Sequence, residues 1–364
     1  MKKQYFSILE TIGIALLGGL LFLFIHMPLP WLLGPLTVVA IWSLTTRRSL
    51  DLPPFVFEIA LLILGYMLGS SFTKETALQI VLQLPFMVVT TTLIVLISLG
   101  LGVVTARRSK LDLASVVIGS VPGGLAQMLV LSKEIKGIDP TIVLFTQVIR
   151  VLAVVFIVPF ITLHGIGGET ASLPSSPSSN TIVSSEGQWY QYIIYGLVSI
   201  SGYFIGKRVG LPTSVLTGPL IATAMVASLW GEAAPPLPSI IIILSQIATG
   251  INIGLLVKPH VFKSIKTFGT YTIGGSILLI LSSLLIAYGM TMATPMNLAT
   301  GFLSTAPGGI AEMGITASMI GADISTVSGY QLFRILFILL VISPILQRWL
   351  KKKEDKNLKE KQSS

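Results

Sequence analysis

Long runs of apolar residues, separated by short polar loops, make up most of the chain. A helix needs about 20 consecutive apolar residues to span the hydrocarbon core of a bilayer. Ten runs approach or reach that length, and no stretch between them is long enough for a soluble core. The pattern predicts an all-α polytopic membrane protein. The predicted spans are residues 8–25, 31–46, 55–73, 80–105, 141–163, 189–206, 213–230, 239–257, 269–290 and 326–347.

The composition agrees with the hydropathy pattern. Of the 364 residues, 52% are hydrophobic and 11% are charged, whereas soluble domains carry about 25% charged residues. Lys2 and Lys3 precede the first apolar run, as they would in a secretory signal, but no small-residue cleavage site follows. We therefore interpret this run as the first span rather than as a signal peptide.

The second half of the chain repeats the first half at an offset of about 184 positions. The residues 34–36 (GPL) recur at 218–220, and the residues 122–128 (PGGLAQM) recur as PGGIAEM at 307–313. Apolar sequences align easily by chance, but Gly, Pro and polar matches in one order do not, so we infer a duplication. The other matches pair Gly18 with Gly202, Pro28 with Pro212, Gly65 and Gly69 with Gly250 and Gly254, Gly137-x-Asp139 with Gly321-x-Asp323, and Gln147-x-x-Arg150 with Gln331-x-x-Arg334.

The duplication divides the chain into two membrane repeats. Residues 165–187 between them are rich in Ser, Pro and Gly and contain no Lys or Arg, which is typical of a flexible linker. The predicted domains are a first repeat at 8–163, an external linker at 164–188, a second repeat at 189–347 and a basic cytoplasmic tail at 348–364.

Basic residues indicate the orientation, because Lys and Arg collect in the short cytoplasmic loops of membrane proteins. With five full spans in each half and a PGG segment that only dips into the membrane, one basic residue, Lys74, lies outside. If the PGG segments span instead, eight basic residues lie outside, so we favour the first topology with both termini cytoplasmic. The residues then inside are Lys2, Lys3, Arg47, Arg48, Arg107, Arg108, Lys110, Lys133, Lys136, Lys207, Arg208, Lys258, Lys263, Lys266 and the tail from Arg348.

An odd number of spans in each half requires the second half to be inverted relative to the first. The predicted fold is therefore two inverted repeats, each with about five transmembrane helices and one re-entrant PGG segment. Inverted repeats with discontinuous helices near the bilayer midplane are typical of secondary transporters.

Each PGG segment interrupts an apolar stretch, because Pro removes a backbone donor and disfavours helix at the residue before it. The helix that restarts after PGG would present free N–H groups and a positive dipole end to an anion. The alternative is a tight helical hairpin that needs Gly only for packing. The candidate binding residues here are Ser120, Pro122, Gly123, Gly124 and Gln127 in the first half and Ser304, Thr305, Pro307, Gly308, Gly309 and Glu312 in the second.

Two arginines lie within apolar runs, each three residues after a glutamine. Gln147 and Arg150, like Gln331 and Arg334, share one helix face at this spacing. Ionisable groups inside a membrane are costly and usually functional, so we expect these four residues to contact an anionic solute or a gate. The alternative is a structural arginine, paired with Asp139 or Asp323.

Two further polar residues are candidates. Glu312 replaces Gln127 after the second PGG, and its protonation would couple transport to a proton gradient because burial favours a neutral carboxyl. The alternative is an ion pair with Arg150 or Arg334. Asn252 lies in a Gly-flanked span and is a candidate to line the same cavity, but packing is the favoured explanation.

Other functions lack their residues. Cysteine is absent, the three histidines (His26, His164 and His260) are dispersed, and no Walker, GxSxG or HExxH motif occurs, so we expect no cofactor, no ATP-driven transport and no hydrolysis. The net charge of +9 comes from short clusters between spans, which is typical of membrane topology rather than of direct nucleic-acid binding.

The paired segments SVPGGLAQM and STAPGGIAEM, each followed by Gly-x-Asp and Gln-x-x-Arg, resemble the AbrB membrane protein family from about residue 10 to residue 347. The resemblance implies a bacterial inner-membrane protein and carries two functional labels, ammonia monooxygenase and membrane regulator of gene expression. Neither label follows from the residues, since a copper enzyme needs clustered ligands and a transcription factor needs a DNA-reading module.

We therefore expect a secondary transporter or exporter of a small, anionic solute. The alternatives are a membrane-embedded regulator that affects gene expression indirectly and, third, the monooxygenase. The expected partners are the solute, the lipid bilayer and a second copy of the chain in a homo-oligomer.

Overall fold

The computed structural model describes residues 2–46, 50–134, 138–166, 189–230, 234–257 and 266–349. Most of the predicted linker and nearly all of the basic tail lie outside these ranges. Within them the chain forms helices and turns without any strand, which confirms the all-α prediction for this part of the protein.

The described residues of the first half form eight helices. They are α1 (Lys2–Phe24), α2 (Pro30–Thr46), α3 (Pro54–Gly69), α4 (Lys74–Leu82), α5 (Leu84–Ser109), α6 (Leu113–Ser120), α7 (Leu125–Glu134) and α8 (Pro140–Ile161), which continues as a π-helical turn at Thr162–Ile166.

The described residues of the second half follow the same order, with the equivalent of α4 not among them. The helices are α9 (Trp189–Val209), α10 (Ser214–Trp230), α11 (Ser239–Leu255), α12 (Lys266–Ala293), α13 (Leu298–Thr305), α14 (Ile310–Ile320) and α15 (Ile324–Phe337), which continues as a π-helical turn at Ile338–Ile342.

Five stretches of described helix are long and apolar enough to cross a membrane. Large apolar side chains on the helix surfaces face outward, among them Phe24, Leu17 and Phe204, which are 83%, 67% and 62% exposed. Such a surface is stable against lipid and unfavourable in water. The five stretches are Ser7–Phe24, Leu84–Ser109, Pro140–Ile166, Phe268–Ala293 and Ile324–Trp349.

The prediction of ten full spans is met only in part. The predicted span 55–73 ends at Gly69, where the chain turns by 89° into α4, and residues 80–82 belong to α4 rather than to the next span. Thr73 caps α4 through its side chain, which accepts the N–H of Thr76 at 3.2 Å. The helices α2, α9, α10 and α11, at the other predicted spans, do not reach the same length and apolarity.

Side-chain caps set where the shorter helices begin. Asp112 accepts the backbone N–H of Ser115 at 2.8 Å, and the Ser115 hydroxyl accepts the N–H of Asp139 at 2.9 Å. This chain of bonds ties the start of α6 to the start of α8. The second half repeats it with Asn297, Thr300 and Asp323, at 2.7 and 3.2 Å.

The backbone repeats in detail as well. His26 and Leu29 have positive φ angles of 57° and 50°, and their equivalents Gly210 and Thr213 have 77° and 49°. Left-handed backbone is uncommon outside glycine, so its recurrence at both positions supports the duplication inferred from the sequence.

Glycines interlock the two halves. A Cβ built on Gly65 of α3 would lie 2.5 Å from the carbonyl oxygen of Leu216 in α10. The equivalent Gly250 of α11 meets the carbonyl oxygen of Leu32 in α2 in the same way. Each half therefore inserts its third helix against the Gly-Pro-Leu helix of the other half, and only glycine allows this approach.

We predict that Gly65→Ala lowers the free energy of unfolding by about 1–3 kcal/mol, because the added methyl group overpacks this crossing. Gly100 is the matched control, since a Cβ there meets nothing within 4 Å. Gly100→Ala should stabilise the protein by about 0.5–1 kcal/mol through its helix propensity. Unfolding in detergent measures both variants, and a Gly65→Ala protein as stable as Gly100→Ala would contradict the described crossing.

Candidate functional site

Each PGG segment separates two helices. The first separates α6 from α7, and the second separates α13 from α14. Pro122, Gly123 and Pro307 are buried. Gly124 has a φ of 89°, a conformation that glycine adopts without strain. The prediction that a new helix begins after each PGG is confirmed.

The glutamine and arginine of α8 bind the open end of α6. The last four carbonyls of a helix have no partner within it. Gln147 donates its side-chain N–H groups to the carbonyl oxygens of Gly119 and Val121, both at 2.9 Å. Arg150 donates to Val121 at 3.0 Å and to Ser120 at 3.3 Å. The two side chains are joined at 2.6 Å, from the Arg150 guanidinium to the Gln147 amide oxygen.

The second half repeats this arrangement at the end of α13. Gln331 donates to the carbonyl oxygens of Leu303 and Ala306 at 2.7 and 3.0 Å. Arg334 donates to Ala306 at 2.5 Å and also to the carbonyl oxygen of Gly308 and the amide oxygen of Gln331. Gln331 and Arg334 are 0% and 3% exposed, so water does not satisfy these carbonyls.

Each Gln-x-x-Arg pair is thus a cap for a broken helix. The positive guanidinium meets the negative end of the helix dipole, which is favourable. The suggested pairing with Asp139 and Asp323 is not observed, because these carboxylates accept N–H groups at the starts of their own helices. Arg150 and Arg334 lie near enough to repel each other, so the two caps are neighbours.

The helices α8 and α15 also contact the break of the opposite half. Ile338, one turn after Arg334, packs against Val121 and Met128 of the first break. The equivalent residue of α8, Val154, packs against Ala306 and Met313 of the second break. Both breaks therefore lie around the same pair of arginine-bearing helices.

The polar residues after the two breaks differ. The Glu312 carboxylate lies against Gly309, in the first turn of α14. A carboxylate of the chain thus occupies the positive end of α14. The alternative of an ion pair between Glu312 and an arginine is not among the contacts of Arg150 and Arg334 described above. The side chain of its equivalent, Gln127, lies outside the described residues.

The remaining predicted residues are dispersed. The Ser304 hydroxyl is buried without a hydrogen-bond partner, whereas Ser120 and Thr305 donate to backbone carbonyls of their own helices at 2.8 and 3.0 Å. Asn252 is half-buried on α11, whose main neighbours are α1, α2 and α3. The structure therefore places Asn252 with the interlocked helices rather than on a helix that adjoins a break.

A cavity of about 30 Å³ adjoins the first break. It lies between α5, α6, α8 and α12 and contains the side chain of Arg150. Six of the eleven residues that line it carry hydroxyl groups, and no carboxylate lines it. The hydroxyl-bearing residues that line it are Ser98, Thr105, Ser120, Thr146, Thr272 and Ser276.

Sequence reasoning identified Ser120 and Arg150 but missed the other lining residues. Ser98 and Gly102 on α5, like Thr272 and Ser276 on α12, form a small-xxx-small pattern that brings membrane helices close together. This pattern was the available signal, but it is common in membrane helices and does not indicate a cavity. Among the described residues, no group of three or more His, Cys, Asp or Glu would hold a metal ion.

We predict that Arg334→Gln lowers the free energy of unfolding by about 1.5–3 kcal/mol, the usual value of a hydrogen bond to a charged group, because it leaves buried carbonyls of the second break without a donor. Arg208→Gln, at the exposed end of α9, is the control and should leave stability unchanged. Melting curves of the purified variants test this, and equal melting of both would show that Arg334 is not the cap described.

The chain is similar to known proteins over nearly its whole length. It is 26% identical over 344 residues to "Putative regulator AbrB" of Escherichia coli (strain K12), which covers 93% of this chain and 94% of that protein. It is also 26% identical over 356 residues to "Uncharacterized protein YhjN" of Bacillus subtilis (strain 168), with 92% and 90% covered. The family model described as "Transition state regulatory protein AbrB" matches residues 31–351. The chain therefore belongs to the AbrB family.

Proposed function

We propose that the protein is a secondary transporter or exporter of a small solute in the bacterial cytoplasmic membrane. The observation that carries this proposal is the pair of helix breaks held by buried Gln-x-x-Arg caps on two helices that each contact both breaks. Interrupted helices persist at membrane depth only where protein or a water-filled cavity satisfies the backbone. Transporters use such breaks as solute sites.

The proposed architecture is an inverted repeat in which each PGG segment is re-entrant. The same helix order in both halves and the reciprocal glycine contacts support a pseudo-two-fold relation between the halves. The distribution of basic residues supports an axis in the membrane plane, since that orientation leaves one basic residue, Lys74, outside. Rocking of one half against the other would then expose the breaks to each side in turn.

The proposed solute is anionic. The partners of Arg150 and Arg334 are carbonyl oxygens and the glutamine amides, so neither cation is neutralised by them. Two neighbouring cations repel each other and favour an anion nearby. Both arginines are therefore positioned to stabilise a negative solute through the field around the breaks while they cap the helices.

A regulatory role is the second candidate. The family is described as a regulatory protein, and the Escherichia coli relative is named a regulator. A membrane sensor would bind the same ligand without carrying it across. Regulation would also follow indirectly if the protein changed the level of a transported metabolite, so the two candidates differ in net flux.

We predict that a ligand from a thermal-shift screen against small carboxylates, amines and phosphates will be an anion and will accumulate in proteoliposomes that contain the protein. Protein-free liposomes of the same lipids are the control. Stabilisation by the ligand without any flux would contradict the transporter and favour the sensor. Stabilisation by amines but by no anion would contradict the anionic solute.

We also predict that both termini are cytoplasmic and that residues 164–188 are external. The native chain has no cysteine, so single cysteines report position directly. Ser176→Cys should react with an impermeant maleimide in intact cells, and Ser363→Cys should be protected until the membrane is opened. The reverse pattern would eliminate this topology and the inverted repeat that depends on it.

A further inference from the structure

The cavity beside Arg150 has an equivalent position in the second half, and the duplication allows the two to be compared residue by residue. Aligning the equivalent caps Asp112 and Asn297 aligns the helices that precede them, α5 and α12. Aligning the two Gln-x-x-Arg pairs aligns α8 with α15. By these correspondences, Thr105, Thr146 and Thr272 are equivalent to Met290, Tyr330 and Met87 of the other half, respectively.

The equivalent space in the second half is filled. Met87, Met290 and Tyr330 form one buried cluster, in which they are 0%, 4% and 2% exposed. All three side chains are larger than threonine, and they lie where the first half has its cavity. The two halves thus share the helix break and its cap but differ in the space beside the arginine.

The charges of the two halves differ in the same sense. Arg334 donates to the carbonyl oxygen of Gly308, and the Glu312 carboxylate lies against the next residue, Gly309. This half therefore carries an acidic side chain in the first turn after its break. The position equivalent to Glu312 in the first half is Gln127, which is uncharged.

Arg150 also keeps an unused donor. Its Nε–H, like that of Arg334, is buried without a hydrogen-bond partner, and Arg150 is 5% exposed. A buried donor without a partner is destabilising, and a buried cation without a counter-charge is more so. An anion in the adjoining cavity would offset both costs, and Thr105 and Thr146 line the same cavity.

The size of the cavity limits what it holds. A water molecule needs about 10–15 Å³ of such space, so a cavity of about 30 Å³ accepts one ion of a few heavy atoms. The guanidinium and the Thr105 hydroxyl would replace part of its hydration shell, whereas the hydroxyls of Thr146 and Thr272 already donate to backbone carbonyls. A large organic anion would not fit.

We propose that the cavity lined by Arg150, Thr105, Thr146 and Thr272 is a site for one small monovalent inorganic anion of halide or nitrate size. The equivalent site of the second half is closed by Met87, Met290 and Tyr330. The inference rests on the proposed function only in taking this anion as the transported solute, and binding is measured separately from flux.

The first experiment measures stabilisation of the purified protein by sodium bromide, with sodium gluconate holding the ionic strength constant. Bromide should raise the melting temperature of the wild type. Thr105→Met, which copies the residue of the closed half, should weaken bromide binding at least tenfold. Val104→Met, at the neighbouring position that is 55% exposed, should bind bromide as the wild type does.

The two arginines form a second matched pair. Both variants lose a cap, so Arg150→Gln and Arg334→Gln should both melt earlier, but only Arg150→Gln should lose the bromide effect. Equal loss in both, or an unchanged bromide effect in Thr105→Met, would overturn the site. If a variant does not fold, crystals of the wild type grown in bromide decide the question, because the anomalous peak must lie beside Arg150.

Flux separates this inference from the proposed function. Bromide bound beside Arg150 without bromide flux in proteoliposomes would support the site and contradict transport of this anion. Flux of another solute without bromide binding would contradict the site and leave the transporter intact.

Discussion

Helices that end in the interior of a protein leave carbonyl groups without a partner in their own helix, and the structure depends on how these groups are satisfied. Here the donors come from a neighbouring helix. Gln147 and Arg150 bind the end of α6, and Gln331 and Arg334 bind the end of α13. Burial of an arginine is unfavourable by itself, but hydrogen bonds to several carbonyls at the negative end of a helix offset much of that free energy. The cap therefore makes the break and the buried cation stable together.

The interlocked glycine helices hold the two halves in register around these breaks. Gly65 and Gly250 allow α3 and α11 to cross the Gly-Pro-Leu helices of the opposite half at backbone contact. In lipid, the burial of apolar surface does not drive helices together, so close van der Waals packing stabilises these crossings instead. The broken helices and their arginine caps lie outside this framework, on α6, α8, α13 and α15.

Duplication has conserved the framework of the chain while the surroundings of the two arginines have diverged. The caps, the breaks and the left-handed residues recur in both halves. By contrast, Thr146 faces a cavity in one half, and its equivalent Tyr330 fills that space in the other. An asymmetric site within a symmetric framework suits a protein that handles one solute and does not need two identical sites.

Much of this protein follows from its sequence alone. Apolar runs indicate membrane helices because lipid admits little else, and the order of Gly, Pro, Gln and Arg reveals the duplication and both helix breaks.

The tertiary structure decided what those residues touch. Arg150 follows Asp139 by eleven positions, a spacing that places both residues on the same face of a helix. In the structure, however, Arg150 binds carbonyls of α6 and Asp139 caps α8. The cavity residues Ser98, Thr146 and Thr272 lie on three different helices, and no local pattern relates them. Secondary structure depends on neighbours in sequence, whereas a cap or a cavity depends on distant segments that meet only when the helices pack.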